Sequence, residues 1–597
     1  MKEASFSPRL LMIARRFNVS LLLGIIVVIS AMGLGAWEST ILQTLHEAEL
    51  EGATGTVSYI QNRQLEDILR IITPTWNFVG LALLTFGIGM SIVVIIFNLK
   101  GAGTESLAAY RKAFPDSRLP ELPIPRFSKA FPVLLFVGLT LQIANFLFAL
   151  SGGFAAARAT ALEFAGLGGG EEWVSALSWA YFAEVLRTPQ RPGALSFIVL
   201  GIGLSLATIV YNLRAQARML PRVMAALSSG TPAEFKGSVV PRLPRLPFAL
   251  LFVGFAIVLA ASYPIGFLGA MARGGLVGAT DPALQASLAQ RLRIATALFP
   301  VTAVTGIVTM LAGIVYWLLL IIQALRDQRS MILRVGSSVA GTGAPPLEQL
   351  LWPERVAGYL AGGGVLTLLL LFVPAFFLIF IRLEVLRLQG TGGEAFIDLL
   401  FMMNFLGVLI PDMRFIGMSL VMLGIGLTLG VIVINLKGMG MILPSTMTKV
   451  LQAKGKTVAP VVIDPDEGDV WSRARSAMGR FPKKLFAPLL LGALILISTT
   501  FPLVVPLHLN LQLQQRDASI AGDTEAVSSI GLDMAILAAL REPWNFIGMG
   551  LIFFAIGKFF GTIIGFVQAR KVIISDTCGS LASGTGSGEG SPQGSGT

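Results

Sequence analysis

The chain has 597 residues, 54% of them hydrophobic and 13% charged, with a formal net charge of +11 and one cysteine. A mean hydropathy of +0.75 excludes a string of soluble domains, and the lone Cys578 excludes an intrachain disulfide or a cysteine-ligated metal. The positive charge is scattered over short segments beside apolar runs, so it does not describe a nucleic-acid-binding face.

Apolar runs of about 20 residues, each able to cross a hydrocarbon core of roughly 30 Å, recur throughout. Ten are read, at about 17–37, 76–99, 130–151, 193–213, 246–271, 298–325, 356–381, 414–436, 485–506 and 543–567. They are continuous and do not alternate, which excludes a strand barrel. The fold class is an all-α polytopic membrane protein with the lipid bilayer as its solvent.

The elements fall into five tandem helical hairpins, all in one orientation because each contains two spans. The first covers 1–100 and ends in Gly87-Ile88-Gly89 followed by Asn98-Leu99-Lys100. Its opening Leu21-Leu22-Leu23-Gly24 lies 74 residues before Asn98, as Leu489-Leu490-Leu491-Gly492 lies 74 before Phe566. The first run therefore reads as a retained helix and not as a cleaved signal. Between its spans, Leu65 to Pro74 reads as an interfacial helix leading into Trp76-Asn77-Phe78-Val79-Gly80, with Trp76 an anchor at headgroup level.

The second hairpin, 101–214, begins with a linker spaced by Pro120, Pro123 and Pro125, which reads as a stiff spacer. It continues through Leu134 to Gly138 and closes on Gly201-Ile202-Gly203 and Asn212-Leu213-Arg214. Its Gly168-Gly169-Gly170 follows no strand and has no lysine partner, so it is not a phosphate loop. The third hairpin, 215–326, has a second spacer at Pro241, Pro244 and Pro247 and a worn closing phrase, Gly313-Ile314-Val315 to Ala324-Leu325-Arg326. The fourth, 327–437, runs through Phe415-Ile416-Gly417 to Gly424-Ile425-Gly426 and Asn435-Leu436-Lys437.

The fifth hairpin, 438–570, opens with a solvated acidic stretch at Asp464, Asp466, Glu467 and Asp469, whose spacing lacks the rest of a calcium loop. Leu532 to Pro543 reads as a second interfacial helix, with Trp544 its anchor. The hairpin closes on Ala555-Ile556-Gly557 and Phe566-Val567-Gln568. The remainder, 571–597, is a Gly/Ser-rich tail expected to be disordered from about 577.

Charge supplies the orientation. The N-terminal segment, the loops after even-numbered spans and the tail hold 31 Lys and Arg, against 13 in the other loops. Both termini are therefore expected on the cytoplasmic side, in what reads as a bacterial cytoplasmic membrane. Small residues explain the recurring phrase as helix packing: Gly80 and Gly87, like Gly417 and Gly424, share one face. Gly89, Gly201, Gly203, Gly426, Gly548 and Gly557 complete the set.

None of the 34 acidic residues lies inside a span, so proton coupling through an intramembrane carboxylate is not expected. Lys558 is the one charge well inside a span, at a register where the other hairpins carry Met90, Leu204, Tyr316 and Leu427. It is a pore or ligand candidate, with a snorkelling lysine as the plainer reading. His46 and His508 are the weakest candidates, for a metal shared between the first and last hairpins. No catalytic constellation or cofactor motif is present.

The ten-helix, five-hairpin layout resembles that of the plant guard-cell anion channels and bacterial tellurite-resistance proteins, in helix count and pairing only. The resemblance implies a quasi-fivefold ring of first helices around a pore closed by a phenylalanine. The leading expectation is thus a non-enzymatic channel or uniporter-like carrier for an anion or small neutral solute. The alternative is a structural subunit that scaffolds a larger membrane complex, with membrane-protein partners or a homo-oligomer.

Overall fold

A computed structural model describes residues 8–117, 125, 127–232, 241–278, 281–340, 352–388, 394–452, 483–498 and 505–585. Among these residues there is no strand. A short α1 (Pro8–Arg15) leads to α2 (Phe17–Leu50), which turns back into α3 (Val57–Ala113). The chain then runs through α4 (Phe127–Leu162), α5 (Glu171–Ser229), α6 (Leu246–Ala260), α7 (Gly266–Gly278) and α8 (Pro282–Ala340). It continues as α9 (Trp352–Leu370), α10 (Phe372–Leu388), α11 (Glu394–Gln452), α12 (Lys483–Ser498), α13 (Val505–Ala521) and α14 (Thr524–Thr585).

Nine helices among the described residues are long and apolar enough to cross a membrane. The expected run at 485–506 is represented by the shorter α12; positions 499–504 lie outside the described residues.

Five helices dominate: α3, α5, α8, α11 and α14 have 57 to 62 residues each. At 1.5 Å per residue that is about 85–93 Å, nearly three times a hydrocarbon core. Each touches the next in chain order, and α14 touches α3, so the five close a ring. Around it, α2, α4, α6–α7, α9–α10 and α12–α13 each lie against the long helix that follows them. The most apolar stretch is 94% buried in α3 and in α5, but 33% buried in α2 and 28% in α4.

The long second helices are thus inside, the reverse of a ring of first helices. Their sequences explain it. In α3, residues 90–96 are buried all round, as befits a helix apolar on every face, whereas α2 buries one stripe and exposes Leu22, Leu23, Ile26 and Ile29.

The segments read as interfacial helices are instead continuous parts of α3 and α14, with Pro74 and Pro543 inside them. Proline frees the carbonyl four residues back, and in α14 that is Ala539. Gly35 of α2 packs there: a methyl group on Gly35 would sit 3.0 Å from that oxygen and 2.8 Å from Pro543 Cγ. The turn between α2 and α3 is closed by Gly52 at φ 71°, and Thr56 caps α3 by accepting from the Tyr59 amide. Beyond the apolar stretch, ion pairs tie a long helix to an outer helix of the next hairpin: Arg273 of α7 to Glu184 of α5 at 3.1 Å, and Arg516 of α13 to Asp398 of α11 at 2.7 Å.

The tail also differs from expectation, since α14 stays helical to Thr585. Ile574, Cys578 and Ala582 recur every four residues and pack with Tyr110 of α3 and Met219, Val223 and Leu227 of α5. Residues 586–597, the acidic stretch at 464–469, and Pro120 and Pro123 lie outside the described residues. Burial pushes the Cys578 thiol up to about 12, which keeps it protonated and unreactive. A maleimide at neutral pH is expected to leave the native protein unlabelled and to react fully after denaturation; rapid native labelling would show that this end of α14 is not docked.

Candidate functional site at the bundle axis

The glycines place the helices, and each contact recurs. A methyl group on Gly24 would lie 2.9 Å from the Gly80 carbonyl oxygen, and one on Gly138 2.7 Å from that of Ala194. For Gly254 with Gly306 the distance is 2.5 Å, for Gly364 with Gly417 2.6 Å, and for Gly492 with Gly548 2.5 Å. Backbone meets backbone at the same register in every hairpin, an approach only glycine permits on the first helix.

A second set joins neighbouring hairpins. Leu135 fills the notch at Gly89, Leu251 that at Gly203, Leu489 that at Gly426, and Leu21 that at Gly557, each within 2.6–2.7 Å of an added methyl. The last of these closes the ring. Gly87 and Gly201 abut the same leucines from the other side, Leu21 at 3.0 Å and Leu135 at 3.1 Å. Gly80 faces Val28, Gly417 faces Leu368 and Gly548 faces Leu496, while the Gly424 carbonyl accepts from Thr428.

The isoleucine between the glycines points the other way. Counting from Asn98, Asn212, Ala324, Asn435 and Phe566, buried side chains follow a 4-3-4 spacing, the seam of a parallel coiled coil. Three residues back stand Ile95, Ile209, Ile321, Ile432 and Ile563; one residue on stand Leu99, Leu213, Leu325, Leu436 and Val567. Ten residues back stand Ile88, Ile202, Ile314, Ile425 and Ile556, the centres of the recurring phrase, all buried. The two layers around the reference line, with Leu318, Leu429, Phe560 and Arg570, bound one cavity of about 30 Å³.

Towards the hairpin turns, the seam ends in Phe78, Phe415 and Phe546. Phe546 lies edge-on to Phe78 at 5.2 Å and to Phe415 at 6.0 Å. The Arg191 guanidinium sits 5.3 Å from the Phe78 centroid and donates to Thr75 Oγ1 at 2.6 Å, while Arg187 donates to the Ile71 carbonyl. From Phe78 to Leu99 the seam runs 21 residues, about 32 Å. Across that length its side chains are almost wholly aliphatic or aromatic; Thr85 is the polar exception, and its hydroxyl is spent on the Leu81 carbonyl at 2.9 Å.

At the opposite end, four residues past the reference line, the seam turns polar. Gln216 donates to the Leu99 carbonyl and Gln328 to the Leu213 carbonyl at 2.5 Å, each stapling its helix to the one before. Arg570 takes the same register in α14, but its Nη1 donates to Gln328 Oε1 at 2.7 Å. In the ring α8 and α14 are separated by α11, so this bond crosses the axis.

Lys558 lies away from this seam. It is half-buried, 5.4 Å from the Phe554 ring, and is absent from the cavity wall. Trp76 donates to Ser30 Oγ at 2.8 Å and tilts against Phe146 at 4.8 Å, while Trp544 is partly exposed. His508 is buried, its Nε2 3.1 Å from Gln512 Nε2; burial first, then the charge of Arg541, lowers its pKa and keeps the ring neutral. No group of three possible metal ligands includes His46 or His508 among the described residues.

Sequence reasoning missed Arg570 and the glutamines because they sit just past the apolar runs, where basic and amide residues look like ordinary interfacial ends. The signal was the register itself: the same offset holds Ala102, Gln216, Gln328, Met439 and Arg570. Comparison with protein-family models, curated proteins and solved structures finds no match to this chain.

Proposed function

We propose that the chain is a non-catalytic structural subunit, built as five hairpin repeats closed into a quasi-fivefold ring, that scaffolds a larger membrane complex. The observation that carries this reading is the packed seam. Hydrophobic gates in channels are local constrictions in a polar path. Here about 32 Å of largely buried apolar side chains, about the thickness of the hydrocarbon core, surrounds a cavity of about 30 Å³. Parting all of these layers would expose a wall with almost nothing to solvate an ion. The long helices also continue well past the bilayer thickness at both ends, which offers rigid surfaces to partners. The basic excess at the termini supports a cytoplasmic placement of that end.

Reconstitution tests the reading. Purified protein in liposomes is expected to pass neither chloride nor small neutral solutes above the rate of empty vesicles, and to co-purify with fixed membrane partners after mild detergent extraction. Solute flux abolished by Lys558→Ala would sink the scaffold reading in favour of permeation past the half-buried lysine.

A further inference from the structure

We propose that the cavity at the terminus-bearing end of the axis is a binding site for a single small monovalent anion, a halide, held by the guanidinium of Arg570. The site is built around an uncompensated charge. Arg570 is buried, 6% exposed, at the centre of the bundle, and makes no ion pair among the described residues. Gln328 satisfies only Nη1, while Nε is buried without a partner. Gln328 cannot swing away, because its own amide nitrogen is tied to the Leu213 carbonyl. A lone guanidinium in such a place is strongly unfavourable unless an opposite charge joins it.

The same arginine lines the axial cavity, whose other walls are leucine, isoleucine, valine and phenylalanine. At about 30 Å³ it is of a size for one small particle such as a water or a monatomic ion. Water is a poor occupant, since it needs two or more polar partners and the aliphatic layers give none. A weakly hydrated monovalent anion needs one strong donor and tolerates an apolar wall. Glu105 of α3 is paired with Lys571, the neighbour of Arg570 in sequence, at 2.8 Å. The anion would thereby complete a cross-axis link from α8 through Gln328 and Arg570 to α14.

The test uses the full chain in detergent at constant ionic strength, exchanging gluconate for bromide. Bromide is expected to raise the unfolding temperature saturably. Crystals grown in bromide should show an anomalous peak beside the Arg570 guanidinium. Arg570→Gln should weaken the apparent bromide affinity about tenfold or more, with Arg570→Lys intermediate. If Arg570→Gln does not fold, the anomalous map of the unaltered protein decides alone. Equal stability in gluconate and bromide, or a map with no peak at Arg570, would overturn the proposal. The outcome is independent of the liposome experiment, since a buried structural halide needs no flux.

Discussion

Gly426→Val is expected to destabilise the protein by about 1–3 kcal/mol, the usual cost of overfilling a close-packed site. Leu489→Ala, made in the same chain, is expected to restore most of that loss. The reason is the notch between hairpins. An added methyl at Gly426 lies 2.7 Å from both terminal carbons of Leu489, and Leu489 is fully buried with nowhere to turn. Alone, Leu489→Ala leaves a cavity and should cost roughly 2–5 kcal/mol.

The chain already contains the exchanged pair. At the one junction where the notch residue is Val315 and not glycine, the register that holds Leu21, Leu135, Leu251 and Leu489 elsewhere holds Ala361. Both residues are buried. Small against large has been traded for large against small. Unfolding titrations of the two single variants and the double variant measure the coupling. A strongly favourable interaction energy is expected for residues that share one space. Simple additivity would show that the two positions do not meet.

Much of this architecture was legible in sequence, and the limits have physical causes. The recurring phrase marked the second helix of each hairpin and defined the register. Its glycines are where a backbone or a leucine from another helix comes closest. Which helix lies inside was hidden, because in lipid both partners are apolar and hydropathy does not separate protein-facing from lipid-facing sides. The discriminating signal lay between the glycines. The isoleucines at 88, 202, 314, 425 and 556, and again at 95, 209, 321, 432 and 563, are conspicuous once seven-residue spacing is sought. The interfacial-helix reading failed because the helices run on through Pro74 and Pro543 into the apolar stretch. Pro543 sits in a continuous helix because Gly35 packs against the carbonyl it frees. The end of α14 was hidden by composition, since Gly and Ser outnumber the apolar residues at 574, 578 and 582 that dock it.

The isoleucine layers also supply the sharpest test of what the axis is for. Ile432→Asp places a carboxylate among Ile95, Ile209, Ile321 and Ile563, around a cavity with no donor in that layer. Insertion of one aspartate near a helix centre costs roughly 2.5–3.5 kcal/mol, and closing four isoleucines over it adds the cost of a buried unpaired charge. The ring is therefore expected not to assemble, read as loss of monodisperse protein after extraction, while Ile432→Val should cost only about 0.5–1.5 kcal/mol. A pore closed by dewetting predicts the opposite for a milder change. There, Ile432→Ser would ease hydration of a gate and produce a measurable leak from a protein that still folds. For a packed seam the serine only removes methyl groups, its hydroxyl can bond the carbonyl one turn back, and the layers on either side remain closed. Stability falls and the vesicles stay tight. The same residue thus separates a core that holds five hairpins together from a gate that holds a path shut.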